Sequence, residues 1–252
     1  MCGSTETPLP LTFNFGRTRW SATWPMTLLT ACAVLLFVDL GRWQWHRAEQ
    51  KRALAAAFAL GTRAVQPLAG QRAADLPRYA QVQANGRYDT AHQFLLDNMP
   101  QDGRTGYEVL TPLELTDGRV LIVNRGWVPM PTSRRELPDI GFDASSAESV
   151  RGRLDDLPRP GIELGHVPPA TAAAWPKVTS FPTMADLSTA LGRPLEGRQL
   201  LLNPDAPHGY ARDWQPSGLT PERHLSYAAQ WWTFAALALV LYAVLNRRAR
   251  TP

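Results

Sequence analysis

Two long apolar runs, one near each end, fix what this chain can become. Trp24–Leu40 carries a single charge, at Asp39, and Leu225–Leu245 carries none over 21 residues. At about 1.5 Å rise per residue, a helix of that length crosses a hydrocarbon core of roughly 30 Å. Trp20 and Trp24 flank the first run on one side, Trp43 and Trp45 on the other. Tryptophan belts of this kind mark bilayer interfaces. The flank Asp39-Leu40-Gly41-Arg42-Trp43 offers no small-residue cleavage site, so the run reads as an uncleaved transmembrane helix and not as a signal peptide. Two spans with apolar runs at 24–40 and 225–245 place both termini on one side of a membrane. The 184 residues from 41 to 224 lie on the other.

Everything between the spans has the texture of a water-soluble fold. Mean hydropathy over the chain is −0.23. The 22 prolines and 18 glycines concentrate in the middle, which favours short strands and turns. Cys2 and Cys32 both lie outside that region, so it folds on packing alone and not on a disulfide framework. Net charge is +4, much of it arginine beside the apolar runs, as at Arg17, Arg19, Arg42, Arg247, Arg248 and Arg250. That placement fits contact with a membrane surface. No zinc-finger, helix-turn-helix or RNP-like pattern points to nucleic acid. Basic residues flank the first span on both sides, so the positive-inside count is mixed.

In chain order, residues 1–22 read as a loose tail without a period. Gln44–Leu60, rich in Ala, Arg, Glu and Lys, reads as a helix continuing from the first span to a glycine cap at Gly61. From Tyr79 the pattern turns to β. Alternating or apolar runs occupy Tyr79–Tyr88, His92–Asn98, Gly106–Leu115, Arg119–Val128, Glu148–Leu154 and Gln199–Asn203. Thr116-Asp117-Gly118 between two of them predicts a hairpin. Thr183 with Asp186 three residues on, and Gly192 beyond, predicts a short capped helix. Thr220-Pro221-Glu222 predicts the start of the last helix, with Thr220 as N-cap and Pro221 at N1. The expected architecture is two transmembrane α-helices flanking an α+β domain dominated by an antiparallel sheet or small barrel. The expected divisions are a tail (1–22), the first span (23–45), the extramembrane domain (46–220), the second span (221–246) and a basic tail (247–252).

His224 is the main site candidate. It falls in the first turn of the last helix, where the helix dipole disfavours imidazolium, and neutral imidazole is a good metal ligand. Trp231, seven residues on, shares its face, with Tyr227 and Ala228 between them. A ligand, a small residue and an aromatic edge on one face would suit a porphyrin with its iron on His224. The plainer alternative is an interfacial histidine among belt aromatics, and pattern alone favours it. Trp231 and Trp232 can likewise be explained by helix packing or lipid contact. His46 would face His224 if the two spans pack, making a two-histidine site. Arg125 and Trp127, in Asn124-Arg125-Gly126-Trp127, either contact a partner or a propionate, or form a bulge with a core tryptophan; the structural reading is the stronger. His92, His166 and His208 are isolated, without a second ligand at metal spacing. No nucleophile elbow, metalloprotease motif, phosphate loop or dinucleotide fingerprint occurs, so no enzymatic activity is expected.

Four ordered motifs carry a family resemblance. They are Leu40-Gly41-Arg42-Trp43-Gln44-Trp45-His46-Arg47, Gly106-Tyr107-Glu108-Val109-Leu110-Thr111-Pro112, Val123-Asn124-Arg125-Gly126-Trp127-Val128-Pro129 and His224-Leu225-Ser226-Tyr227-Ala228-Ala229-Gln230-Trp231-Trp232. With them the chain resembles the Surfeit-one (Shy-one) family of cytochrome c oxidase assembly factors. Residues 1–20 and 158–182 match little. The resemblance implies a domain on the outer face of the energy-conserving membrane and a role in building haem-copper oxidase. It implies haem a as cofactor, passed to the oxidase catalytic subunit, with the haem a synthase as a second partner and membrane lipid around the spans. The family's histidine and the tryptophan seven residues later map onto His224, as ligand to haem iron, and Trp231. Glu222 and Arg223 depart from the residues the family carries before that histidine, and no role passes to them. A cofactor-free scaffold that holds an oxidase subunit is the alternative. Without a mitochondrial-type leader, the expected location is a bacterial inner membrane, with the central domain in the periplasm and both tails in the cytoplasm.

Overall fold

The computed structural model describes residues 11–15, 18–60, 64–133, 136–159, 166–170, 172, 174–216 and 219–249. In chain order the elements are β1 (Leu11–Phe15), β2 (Thr18–Ala22), α1 (Trp24–Leu60), β3 (Val65–Pro67), β4 (Gln81–Tyr88), β5 (Phe94–Gln101), β6 (Arg104–Leu115) and β7 (Val120–Pro129). They continue with β8 (Glu148–Asp155), β9 (Lys177–Thr179), α2 (Met184–Leu191), β10 (Leu195–Leu202), α3 (Pro221–Leu245) and β11 (Arg247–Ala249). The chain divides into two compact units, Met1–Ala55 with Gly218–Pro252, and Ala56–Ser217.

In the first unit α1 and α3 are both long and apolar enough to cross a membrane. Only 6% and 11% of their most apolar windows are buried. A core helix of a soluble protein would be mostly covered, whereas these two present apolar side chains such as Leu29, Leu35, Val240 and Val244 outward. That is the surface a bilayer solvates. At 37 residues α1 is one unbroken helix of about 55 Å, so the apolar run and the polar helix after it are continuous. Gly61, expected to cap it, lies outside the described residues.

The reading of 1–22 as a loose tail is overturned for residues 11–15 and 18–22. β1 pairs antiparallel with β2, Leu11 opposite Ala22, and β2 pairs with β11, Arg247 opposite Trp20. The last three residues of that sheet come from the segment read as a basic tail. Leu-Thr-Phe-Asn-Phe alternates in period two and Thr18–Ala22 holds β-formers, but five-residue windows are too short to show it. The partner strand lies at the opposite end of the sequence. Ser21 N–H donates to the Asn246 carbonyl at 3.0 Å, and Trp20 meets Tyr242 edge-on at 5.4 Å.

The second unit is a closed barrel of five strands, in the order β4-β8-β10-β7-β6, with β6 returning to β4 through Gly86 opposite Leu115. β3 adds to β4, and β5 with β9 extends the other edge. Most pairings are antiparallel; β10–β7, β3–β4 and β5–β9 are parallel. Val82, Ala84, Leu113, Leu121, Val123, Val150, Leu154, Leu200 and Leu202 form one core cluster, spaced two apart along their strands as a pleated inner face requires. Leu68, Ala73 and Leu76 from the β3–β4 connection join it. That connection is tied by Ala73 N–H to the Glu196 carboxylate (2.7 Å) and by Arg119 to both Glu196 (2.8 Å) and the Gln71 carbonyl (2.6 Å). A second cluster holds Ile122, Leu110, Phe94 and Leu96 against Leu187 of α2, so β7 is buried on both faces. The Asp117-Gly118 hairpin forms as expected, with Gly118 at φ +85° and its N–H on the Leu115 carbonyl at 2.9 Å. So does the capping box: Asp186 N–H donates to Thr183 Oγ1, and Thr183 N–H to the Asp186 carboxylate.

Candidate functional site

The two long helices meet along a seam of small side chains. On α1, Gly41 and Ala48 are buried; on α3, His224, Ala228 and Ala235 are. Residues 37, 41, 44 and 48 and residues 224, 228, 231 and 235 follow the same four-three-four spacing, which keeps one stripe of each helix on its partner. Small residues let the backbones approach closely. Gly41 shows how closely: a Cβ there would overlap the Trp232 indole.

His224 sits on this seam, 8% exposed. α3 begins at Pro221, although Thr220 does not cap it with its side chain, so His224 occupies the fourth helical position. Its Nδ1 lies 2.7 Å from Oε1 of Gln44 on α1. An amide oxygen can only accept. The imidazole therefore carries its proton on Nδ1 and, in the neutral ring, presents a lone pair at Nε2. No hydrogen bond at Nε2 occurs among the described residues. One imidazole nitrogen held by a donor bond from the other is how proteins orient histidine ligands to metals. An imidazole nitrogen presented in this way is a donor of the kind that haem iron accepts.

Seven residues deeper on α3 and seven earlier on α1, Trp231 stacks on Phe37, with centroids 5.8 Å apart and planes at 25°. It also meets Phe234 edge-on at 5.8 Å. Trp231 thus shares the seam with His224, and its ring packs on α1. Trp232 turns to the neighbouring stripe, where it covers Gly41 and meets Trp45 at 6.0 Å with the rings tilted by 34°. His46 does not face His224. Two positions beyond Gln44 is about 200° around a helix, and His46 lies exposed, 3.5 Å from Glu49. Gln44 is the residue that sequence reasoning missed. It belongs to the motif that follows the first span, but only the seam register, Phe37-Gly41-Gln44-Ala48, singles out a polar side chain at a packed position.

In the barrel unit Arg125 is a core residue, 2% exposed. Its guanidinium donates to the His208 carbonyl (2.6 Å), to Gln93 Oε1 (2.9 Å) and to the Ile140 carbonyl (3.3 Å). It lies over the Phe142 ring at 4.0 Å and the Tyr210 ring at 4.9 Å. Burial pushes its pKa below the usual range, with Tyr210 and Tyr88 acting against that shift. Its guanidinium holds the 138–142 and 208–210 loops to β7, and at that depth it presents no surface to a propionate or a client. Gly126 beside it has φ +109°, and a Cβ there would stand 2.7 Å from the Ala211 carbonyl oxygen. Trp127 anchors through Nε1–H to the Met99 carbonyl at 2.8 Å. The structural reading of this motif holds.

The remaining histidines stay apart. His92 pairs with Asp89 at 2.7 Å, His166 with the Phe181 carbonyl at 3.0 Å, and His208 stacks on Phe142. Among the described residues no three potential ligands cluster to hold a metal ion. A polar cavity of about 280 Å³ is lined by Arg78, Glu108, Asp155, Gln199 and Trp214. Within it burial raises the Glu108 pKa, although Asn124 Nδ2–H donates to the carboxylate at 2.7 Å. Burial raises Asp155 as well, against the nearby Arg78.

Comparison with known proteins agrees with the motifs. A SURF1-like protein of Monosiga brevicollis is 27% identical over 229 residues, spanning 83% of this chain and 83% of that protein. A SURF1-like protein of Dictyostelium discoideum is 31% identical over 111 residues, 39% of this chain and 41% of that protein. The SURF1 family model matches residues 31–236, which takes in α1 from its second turn, the whole barrel and the seam of α3 through Ala235. With two apolar helices, a closed barrel in the sequence that separates them and this match over most of its length, the chain belongs to the SURF1 family, which is associated with cytochrome c oxidase assembly.

Proposed function

We propose that this chain is a membrane-anchored assembly factor for haem-copper cytochrome c oxidase. It binds haem a at His224 and delivers it to the oxidase catalytic subunit, receiving it from the haem a synthase. The observation that carries this reading is the His224–Gln44 contact. It leaves one imidazole nitrogen as a donor on a buried helix seam, at the mouth of an apolar helix. Haem a, when bound, would supply an iron that accepts an imidazole nitrogen. His224 would hold the iron through its imidazole, with Gln44 orienting the ring and Trp231 with Phe37 keeping the two helices in register. The spans anchor the chain in a bacterial inner membrane, and the barrel unit sits in the periplasm. The chain has no turnover of its own; its part is to bind, orient and release.

A second reading is a cofactor-free scaffold. What favours it is the packed state of the seam, in which Trp231 is already engaged by Phe37 and His224 is nearly covered. Complementation separates the two. In cells lacking this chain, the wild type restores oxidase activity. Under the haem-binding reading His224→Ala does not, although the variant accumulates in the membrane. Full restoration by His224→Ala overturns haem delivery and leaves the scaffold.

A further inference from the structure

We infer that Gln44 is the positioning residue of the His224 site: its amide oxygen holds the imidazole as the Nδ1–H tautomer and so makes Nε2 the donor atom. The inference rests on the haem reading for its purpose, but not for its geometry. Gln44 and His224 come from helices 180 positions apart in sequence, and their side chains meet at 2.7 Å. Three positions before Gln44, Gly41 brings the helices together; four positions after it, Ala48 is fully buried. Gln44 is thus held at a fixed depth on the seam, where a side chain of its length reaches the ring. An imidazole free in water exchanges its proton between two nitrogens. One whose Nδ1 faces an acceptor at the edge of a low-dielectric seam does not. Outer partners of this kind set ligand orientation and basicity, and their loss weakens metal binding by about 10–100-fold.

The test uses the full chain in detergent, labelled with ¹⁵N at histidine and free of haem. His224 is assigned among the five histidines by comparison with His224→Ala. The long-range ¹H–¹⁵N spectrum is expected to show His224 with its proton on Nδ1. Gln44→Leu, which keeps the bulk and removes the acceptor, is expected to give a tautomer mixture. Gln44→Glu, which accepts as well or better, is expected to restore the Nδ1–H form. Titration with haem a is then expected to show weaker uptake by Gln44→Leu, about 10–100-fold, and recovery in Gln44→Glu. A wild-type His224 protonated on Nε2 overturns the inference, as does a Gln44→Leu protein with unchanged tautomer and affinity. If Gln44→Leu does not fold, the wild type and Gln44→Glu spectra decide alone. If the tautomer behaves as expected and no version takes up haem a, the positioning stands and the haem reading fails.

Discussion

The Trp231 ring lies stacked on Phe37, 5.8 Å between centroids, one heptad from the place where His224 meets Gln44. Two contacts a heptad apart, on matched stripes of antiparallel helices, fix the register of the pair. Farther along, Thr27 Oγ1 and the Tyr242 hydroxyl lie 2.6 Å apart, and Asn246 reaches back to the β-hairpin. The seam is therefore tied along its length, and the histidine is held by a frame and not by one bond.

That frame closes most tightly at Gly41. Gly41→Val would drive a branched side chain into the Trp232 indole. Overpacking of this kind costs about 1–3 kcal/mol. The expected outcome is a lower melting temperature for the detergent-solubilised chain, with recovery when Trp232→Ala is added. Failure of the second change to recover stability would show that the helices do not close on Trp232.

Arg125 makes a different kind of claim. Arg125→Met keeps most of the bulk but leaves the buried His208 carbonyl without its donor, and it strips Gln93 Oε1 and the Ile140 carbonyl of one of two donors each, Thr111 Oγ1 and Gln93 Nε2 remaining. Each buried acceptor left unpaired costs about 1–3 kcal/mol. Little folded protein is expected, and Arg125→Lys rescues poorly because one ammonium cannot span the same fork. A stable, fully folded Arg125→Met that fails only in oxidase assembly would return this residue to a partner-binding role.

Glu108 predicts a pH dependence. Burial raises its folded pKa above the ordinary carboxylate range. Stability from the protonated form is therefore complete below that range and is lost as pH rises through the folded value. Glu108→Gln keeps an acceptor for Asn124 and removes the titration. The melting temperature of the variant, relative to wild type, is expected to rise from about pH 4 toward pH 8. A pH-independent difference contradicts the assignment.

Much of the barrel was legible because its signals are local. Asp117-Gly118 and the Thr183–Asp186 capping box each settle within four residues, and both formed. The six strand runs lay where alternation placed them. Closure was not legible, because it depends on Gly86 meeting Leu115, a pairing no local pattern records. The sheet of β1, β2 and β11 was missed for the same reason, its strands coming from opposite ends of the chain. At the site, helical periodicity put His224 and Trp231 on one stripe. It could not say that the stripe faces α1, or that Gln44 and not His46 stands opposite. That choice depends on the relative rotation of two helices, which the burial of Gly41 and Ala48 reveals only in the folded chain.

Haem binding at His224 is tested by the visible spectrum of the full chain purified from cells that make haem a. Haem a absorbance is expected in the wild type and its loss in His224→Ala, with the variant melting within a few degrees of wild type. A wild type without haem, or a His224→Ala protein that carries as much as wild type, contradicts it.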